Sequence, residues 1–474
     1  MDENVIAEHL VSSGMGRAEA VRKGRWFNQT LASLDGCGDS AGGGSSAGGG
    51  SSADDPYLLF VPGRIEVLGK HTDYAGGRSL LAAVERGFSI AARPRSDRRL
   101  RITDAASGEV ASFALEADLA PAVGHWSNYP MTVARRAARN FPGPLRGADI
   151  AFFSDLPPAV GMSSSSALIT GMFKVLSQVN RLADREQYRA NLGSDEALAA
   201  YLATIENGQS FASLAGDRGV GTFGGSEDHT AICCCRPGEL HEYAFCPVRF
   251  QQAIPLPAGH VFALASSGVS AEKTGEAMAK YNRVSHLVRA LLELWQAGTG
   301  RHDRCLADAL HSAHGAADRL RRIVAAHPHA DFDAAALLRR LEQFLDENER
   351  IIPAAALALT EGAMNTFGDL VDQSQHGAEK LLENQVPQTI GLARSARQCG
   401  AKAASAFGAG FGGSVWALVE AAWAADFLAA WAHRYRKEFP AEAQRSHFFL
   451  SGAGPGLLEP GARAARTRRP GPAK

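Results

Sequence analysis

Residues 148–179 constrain the fold most strongly, because they read as a strand, a loop rich in Pro and Gly, a run of serines and then a helix. The loop and helix start, PAVGMSSSSA, include Gly161, Ser163, Ser164, Ser165 and Ser166. The first N–H groups of a helix lack backbone partners and carry about half a positive charge, so such a loop can enclose a phosphate group. A serine-capped helix without a ligand has the same pattern. No GK[ST] sequence follows, which argues against a Walker loop.

Two further segments place unusual side chains beside a strand. SAFGAGFGGSVWALV contains four glycines within six positions, which indicates positive φ angles, a close backbone approach or a simple turn. The other segment, residues 57–84, predicts an apolar strand, a turn at Pro62-Gly63, a second strand and a break at Gly76-Gly77. Its polar side chains favour either a solvated loop or recognition of a hydroxyl-rich ligand; they are Arg64, Lys70, His71, Asp73 and Tyr74.

Composition divides the chain and limits its partners. A Gly/Ser-rich segment, residues 36–55, predicts a flexible linker or inserted loop after an N-terminal helical part, residues 1–35. That part contains an amphipathic pattern around Val21, Trp26, Phe27 and Leu31, and we expect this helix to dock on the domain after the linker. The basic, Pro/Gly-rich end, residues 458–474, predicts a disordered tail. With 49 basic and 50 acidic residues, a globally basic nucleic-acid binder is excluded.

Two features concern the compartment. No run of 18 apolar residues occurs and the chain starts with acidic residues rather than a basic leader, so we expect a cytoplasmic protein without a membrane partner. Seven cysteines include the run from Cys233 to Cys235, without a pattern of paired CxxC motifs. We therefore favour a buried strand of reduced thiols there over a metal site.

The three segments, in this order, resemble the GHMP kinase superfamily and, within it, the galactokinase family. GRIEVLGKHTDYAGG resembles the sugar-binding signature, VGMSSSSAL the phosphate loop, and GAGFGGSVWALV the third, glycine-rich motif, and the similarity extends over about residues 57–420. The resemblance implies an α+β fold of two domains. A mixed-sheet N-terminal domain spans residues 56–255, and a ferredoxin-like C-terminal domain spans residues 256–457.

The resemblance also implies an activity, namely ATP-dependent phosphorylation of the anomeric hydroxyl of galactose or a close relative. GGSEDHTAI places Asp228 as the carboxylate that accepts the proton of this hydroxyl. Arg64 matches the arginine beside it, where it keeps Asp228 ionised. Ser165 and Glu206 match the Mg²⁺ ligands, although the interval from Glu206 to Asp228 is longer than in the family and requires a short insertion.

The remaining site residues come from the same motifs. ATP is expected to contact Gly161 and the four serines of the loop, with Trp126 bordering the adenine. The sugar is expected to contact Lys70, His71, Asp73, Gly225 and Tyr281. We expect a monomer whose partners are the sugar and ATP, with no nucleic acid.

One departure from the family concerns the sugar. Galactokinases carry a glutamate in GEHTDY, facing C6 of the sugar, and here the position is Lys70. A lysine only donates hydrogen bonds and favours an anion, so a hexose modified at C6, such as a uronic acid, is an alternative substrate. A kinase-like sugar sensor that acts through a partner protein is a second alternative. The HTDY segment argues against mevalonate or homoserine, which have no ring hydroxyls.

Overall fold

The computed structural model of the chain describes residues 2–36, 55–157, 161–270 and 275–460. The strands are β1 Tyr57–Leu68, β2 Arg78–Pro94, β3 Arg99–Asp104, β4 Val110–Ala114, β5 Ala148–Ser154, β6 Glu239–Ala244, β7 Arg249–Pro255, β8 His260–Ser266, β9 Ala403–Phe407, β10 Ser414–Glu420 and β11 His447–Ser451. The helices are α1 Glu3–Ser12, α2 Arg17–Asp35, α3 Asn128–Asn140, α4 Ser164–Val179, α5 Glu186–Asn191, α6 Asp195–Asn207, α7 Glu227–Cys234, α8 Gly275–Thr299, α9 Leu306–His311, α10 Ala316–Ala326, α11 Ala334–Leu345, α12 Ile352–Thr360, α13 Met364–Gly377, α14 Pro387–Gln398 and α15 Ala424–Glu438. Within these ranges, none of the helices is long and apolar enough to cross a membrane.

The first sheet has seven strands in the order β4-β3-β5-β2-β6-β7, with β1 also pairing with β2. Strands β3 and β5 run parallel and the other pairs antiparallel, which confirms the mixed sheet. Helix α4 packs against β1 and β2, so a continuous apolar core fills the space between helix and sheet. The loop preceding α4 is thereby brought to the sheet surface beside β1.

The predicted turn at Pro62-Gly63 is wrong, because β1 continues through these residues as one strand with a register shift between Pro62 and Arg64. The glycine has a steric reason. A Cβ atom on Gly63 would lie 2.8 Å from the carbonyl oxygen of Met162 and 2.8 Å from Leu156 Cδ2. The Pro-Gly pair therefore forms a bulge that admits the loop before α4, and the bulge sets where Arg64 emerges from the sheet.

The second sheet has four antiparallel strands in the order β11-β8-β10-β9. Along the chain, β8 is followed by helices, β9 and β10, α15 and β11, and this order of strands and helices is the ferredoxin-like arrangement, which confirms the predicted layer. The chain from α8 to α14 forms a helical insertion between β8 and β9. The charged, periodic pattern of residues 307–359 predicts helix, and these residues form part of that insertion.

Helix α2 packs on the outer face of the first sheet, against β2 and β5, and α1 packs on α2. Phe27 is buried there as expected, whereas Val21 is exposed, so the predicted apolar face is rotated. On the same helix Lys23 is fully buried, and its Nζ lies 2.6 Å from Asp155 Oδ2. No sequence pattern indicates this contact.

The last described residues return to the first sheet. Leu458 pairs with Phe60, and Gly454 pairs with Ala83. The predicted disordered tail, residues 458–474, is therefore wrong at Leu458, which is paired with the first sheet. Residues 461–474 of the tail and residues 37–54 of the predicted linker lie outside the described part of the chain. The domain limits at residues 255 and 457 remain predictions.

The cysteine run does not form the predicted strand, because Cys233 and Cys234 lie on α7 and Cys235 follows its last turn. All three are free thiols. Burial raises the pKa of Cys233 to about 12, so this thiol stays protonated and unreactive near neutral pH.

Candidate active site

A cleft of about 520 Å³, open solvent included, lies where the ends of β1 and α6, the start of α7 and the β9–β10 loop meet. Seventeen residues line it: Arg64, Glu66, His71, Asp73, Tyr74, Ser166, Ala203, Glu206, Asn207, Gly224, Gly225, Glu227, Asp228, His229, Tyr281, Gly408 and Ala409. Most are polar or charged. Such a lining suits a ligand that offers many hydrogen-bonding groups.

Arg64 and Asp228 form an ion pair at the cleft. Arg64 Nη2 lies 2.6 Å from Asp228 Oδ1, and Arg64 Nη1 donates to the carbonyl oxygen of Gly161 at 2.6 Å. Arg64 is 3 % exposed. Burial alone would lower the pKa of its guanidinium, but Asp228, Glu227 and Glu66 together raise it, so the cation is retained. One buried arginine thus connects the predicted base with the predicted phosphate loop.

The predicted metal ligands also lie together. Glu206, near the end of α6, accepts hydrogen bonds from Ser165 Oγ at 3.4 Å and from Ser166 Oγ at 2.9 Å. Ser166 Oγ also lies 3.4 Å from Asp228 Oδ2. The first turn of α4 therefore presents two hydroxyls to the acids, and the one that contacts both of them is Ser166 rather than Ser165.

Four of the predicted sugar residues also line the cleft, namely His71, Asp73, Gly225 and Tyr281. His71 Nδ1 lies 2.9 Å from the hydroxyl of Tyr74, and the His71 and Tyr281 rings are 5.8 Å apart. Asp73 Oδ2 accepts from the amide of Glu227 at 3.1 Å. A Cβ atom on Gly225 would lie 2.3 Å from Asp73 Oδ2, so only glycine permits this approach.

The two glycine-rich loops contact each other. Gly161 and Gly408 both have positive φ, +74° and +80°. A Cβ atom on Gly408 would lie 2.8 Å from the carbonyl oxygen of Gly161 and 3.3 Å from Arg64 Nη2. Ser163, which precedes α4, also has positive φ, and among the described residues its buried hydroxyl has no hydrogen-bond partner. Ser163 therefore immediately precedes the helix whose Ser166 lines the cleft.

Six predicted site residues do not line the cleft, although two of them, Gly161 and Ser165, are hydrogen-bonded to the lining residues Arg64 and Glu206; the six are Lys70, Trp126, Gly161, Ser163, Ser164 and Ser165. Lys70 is 1 % exposed and its Nζ donates to Ser374 Oγ at 2.9 Å, while its charge opposes the rise in the pKa of Glu66, a lining residue. Trp126 packs edge-to-face on Phe152, with ring centroids 5.5 Å apart. Their roles toward sugar and adenine remain predictions, and the geometry of Lys70 does not support its role.

Sequence reasoning missed two carboxyl groups of the lining. Glu66 accepts from the amide of Gly408 at 3.3 Å, and Glu227 accepts from Ser79 Oγ at 2.7 Å. Burial raises the pKa of both acids, and their mutual proximity keeps them from ionising together. Glu66 could have been predicted from the sequence, because it lies two residues after Arg64 on a strand and strand residues two apart share a face.

Glu347 is a third omission, because it supports the sugar loop from outside the cleft. It lies in a π-helical turn between α11 and α12, and its Oε1 accepts from the amide of Gly69 at 2.8 Å and from Ser374 Oγ at 2.9 Å. Arg340, on α11, donates to the carbonyl oxygen of His71. The helical insertion therefore fixes the backbone of residues 69–71.

Three family models match the chain. They are the galactokinase galactose-binding signature at residues 50–94, the GHMP kinases N terminal domain at residues 128–217 and the GHMP kinases C terminal model at residues 355–437. The chain carries both GHMP kinase domains. This kinase is a phosphotransferase, with ATP as its implied co-substrate.

Individual relatives agree with the assignment. A galactokinase of Chloroflexus aggregans is 29 % identical over 376 residues, covering 78 % of this chain and 85 % of that protein. A galactokinase of Roseiflexus sp. is 28 % identical, covering 77 % and 83 %. The structure of Lactococcus lactis galactokinase complexed with galactose superposes with a TM-score of 0.69 at 22 % identity, over 86 % of this kinase and 96 % of that chain. The two-domain fold of this kinase is thereby confirmed.

Proposed function

We propose that this kinase transfers the γ-phosphoryl group of ATP to the anomeric hydroxyl of galactose or a close relative, giving the sugar 1-phosphate. The ion pair between Arg64 and Asp228, 2.6 Å apart at a polar cleft, carries the proposal. Asp228 would take the proton of the attacking hydroxyl as the oxygen bonds to phosphorus. Arg64 holds this carboxylate ionised and can stabilise charge on the transferred group.

We propose Mg²⁺ as the accompanying metal, held by Glu206 together with Ser165 or Ser166. These donors are all hard oxygens, and few of them come from the protein, as is typical of a Mg²⁺ ion that also binds nucleotide phosphates. When bound, Mg²⁺ supplies positive charge that neutralises the phosphates. Glu206 and the serines orient the donor atoms, while the Ser163 hydroxyl, which lacks a hydrogen-bond partner among the described residues, is suited to a phosphate oxygen.

We propose a neutral sugar rather than a uronic acid. The ammonium group that would attract an anion at C6 belongs to Lys70, and it is held by Ser374 behind the sugar loop. The cleft lining instead contains five carboxyl groups and one arginine, so a further anion is disfavoured while hydroxyls can be hydrogen-bonded; the acids are Glu66, Asp73, Glu206, Glu227 and Asp228. His71, Asp73 and Tyr281 provide the remaining polar contacts with the ring.

The test is an assay of ADP release with galactose, glucose, galacturonate and no sugar, followed by ³¹P NMR of the product. We expect turnover with galactose, a phosphate on the anomeric carbon and no turnover of galacturonate. Phosphorylation at another hydroxyl would overturn the regiochemistry, and preference for galacturonate would overturn the neutral-sugar proposal. Binding of galactose and ATP without ADP release would favour the sensor alternative.

A further inference from the structure

Two cysteines from distant parts of the chain meet behind the sugar loop. Cys246 lies just after β6 of the first sheet and is exposed. Cys305 directly precedes α9 in the helical insertion and is buried. Both are free thiols, and their side chains are hydrogen-bonded to each other.

Both sulfur atoms also contact the turn that carries Asp73. Cys246 Sγ donates to the carbonyl oxygen of Asp73 at 3.5 Å. Cys305 packs on Gly76 so closely that a Cβ atom on this glycine would lie 2.2 Å from its sulfur. The position of the turn at residues 73–76 therefore depends on both thiols, and Asp73 lines the cleft at the other side of that turn.

We propose that Cys246 and Cys305 are a modification site at which oxidation forms a reversible disulfide and weakens sugar binding. A low-molecular-weight disulfide such as oxidised glutathione is the oxidant. Its sulfur is attacked by the exposed Cys246, which releases one glutathione and leaves a mixed disulfide; Cys305 then attacks the Cys246 sulfur and releases the second. Two protein thiols lose two electrons and two protons in total, and one oxidised glutathione becomes two reduced molecules.

The order of the two steps follows the exposure of each thiol. Exposure of Cys246 gives the oxidant access. The hydrogen bond from Cys246 lowers the pKa of the Cys305 thiol, which favours the thiolate needed for the second step. The hydrogen bond to Cys305, together with desolvation, raises the pKa of the Cys246 thiol, so the first step is slow near neutral pH and quickens as the pH rises.

Oxidation changes what the turn contacts. A disulfide brings the two sulfurs to about 2.05 Å and removes both S–H groups. Asp73 then loses the hydrogen bond that Cys246 donates to its carbonyl oxygen, and Cys305 shifts beneath Gly76. Neither thiol contacts Gly161 or the serines of the phosphate loop among the described contacts, so the effect falls on the sugar rather than on ATP.

The experiment treats the full-length kinase with oxidised glutathione, alkylates the remaining thiols and maps the peptides by mass spectrometry. We expect a peptide linked through Cys246 and Cys305, a fall in kcat/KM for the sugar of about tenfold with an unchanged KM for ATP, and recovery on reduction. Cys246→Ser should keep the kinetics of the reduced enzyme and lose the response. Cys399, a half-buried thiol beside Val419, provides the control, and Cys399→Ser should respond to oxidised glutathione like the unaltered protein.

Absence of the linked peptide, or equal inactivation of Cys246→Ser, would overturn the proposal. If Cys246→Ser does not fold, Cys305→Ala provides the same comparison. The kinetic readout rests on the proposed function, whereas the linked peptide does not. A kinase that forms the linkage but phosphorylates no sugar would therefore contradict the proposed function alone.

Discussion

The proposed chemistry depends on Asp228 and Arg64, which form an ion pair across 2.6 Å that favours the charged form of each. Replacing Asp228 by Asn preserves the shape of the side chain and removes the proton acceptor. We expect turnover to fall by about 10²- to 10⁴-fold, because general-base catalysis contributes that much. ATP binding, measured by calorimetry, should remain. Near-normal turnover by a folded Asp228→Asn kinase would contradict the assignment.

Glu66 is expected to contribute to sugar affinity through a hydrogen bond in the cleft. Glu66→Ala removes it, and the KM for galactose should rise by about two- to tenfold, since a hydrogen bond contributes about 0.5–1.5 kcal/mol. Glu66→Gln keeps an acceptor and a donor, so its KM for galactose should lie closer to that of the unaltered kinase. Steady-state kinetics at saturating ATP check this. Equal KM values for the Ala variant and the unaltered kinase would exclude contact between Glu66 and the sugar.

Local motifs at the residue scale predicted much of the site. Arg64, His71, Asp73 and Asp228 all line the cleft, because each lies within a short motif whose backbone determines its direction. Lys70 could not be placed in this way. Its direction is set by Ser374, some 300 positions further along the chain, and no local pattern encodes such a contact.

At the scale of elements, the π-helical turn between α11 and α12 positions the sugar loop through Glu347. Glu347→Ala leaves the amide of Gly69 buried without its acceptor. We expect the free energy of unfolding to fall by about 1–3 kcal/mol and the KM for the sugar to rise, because an unpaired buried donor carries that cost. Denaturant titration and kinetics measure the two effects.

The control for Glu347 lies in the same turn. Asp346 pairs with the half-exposed Arg350 instead of the sugar loop. Asp346→Asn should therefore change neither quantity, and Glu347→Gln, which retains an acceptor oxygen, should restore part of the loss. Identical behaviour of Asp346→Asn and Glu347→Ala would show that the helix as a whole, rather than its contact with Gly69, matters.

The first turn of α4 and the end of α6 together form the proposed Mg²⁺ site. Glu206→Gln should raise the Mg²⁺ concentration required for half-maximal rate, because it removes the carboxylate assigned to the ion. Comparison of Ser165→Ala with Ser166→Ala then assigns the hydroxyl ligand. Sugar affinity without ATP serves as the control and should not change. An unaltered Mg²⁺ dependence of Glu206→Gln would place the metal elsewhere.

Periodicity predicted the types of most elements but failed where tertiary contacts override it. Pro62-Gly63 is a typical turn signal, yet the approach of Met162 turns the pair into a bulge within β1. Cys233 to Cys235 lack a clear period, and the chain enters a helix because α7 packs against α6.

At the scale of the whole molecule, elements of both sheets contribute residues to one cleft. Near its C-terminal end the chain also pairs again with its first strand, β1. Residues from β1, α7 and the β9–β10 loop meet in the cleft, although they are separated by hundreds of positions. The resemblance predicted that these motifs converge. It did not predict the pairing of Leu458 with Phe60, which lies beyond the matched motifs.

This convergence buries two carboxyl groups side by side, which gives the stability of the ligand-free kinase a pH dependence. Burial raises the pKa of Glu66 from 4.5 in an unfolded chain to about 7, and raises that of Glu227 as well. The folded state therefore holds protons that the unfolded state releases above pH 4.5. The stabilisation is fully present below about pH 4.5 and is lost as the pH rises toward 7, so the free energy of unfolding falls over that interval.

Glu66→Gln removes one of these titrations. Its free energy of unfolding should decline less between pH 4.5 and pH 7 than that of the unaltered kinase, by an amount of the order of 3 kcal/mol, since one pKa unit corresponds to about 1.4 kcal/mol. Urea unfolding in a series of buffers, without sugar or nucleotide, measures the difference. Glu361→Gln, at an exposed position, is the control and should reproduce the unaltered profile. Parallel profiles for Glu66→Gln and the control would show that Glu66 is ionised in the folded kinase throughout, and that Arg64 outweighs the cost of burial.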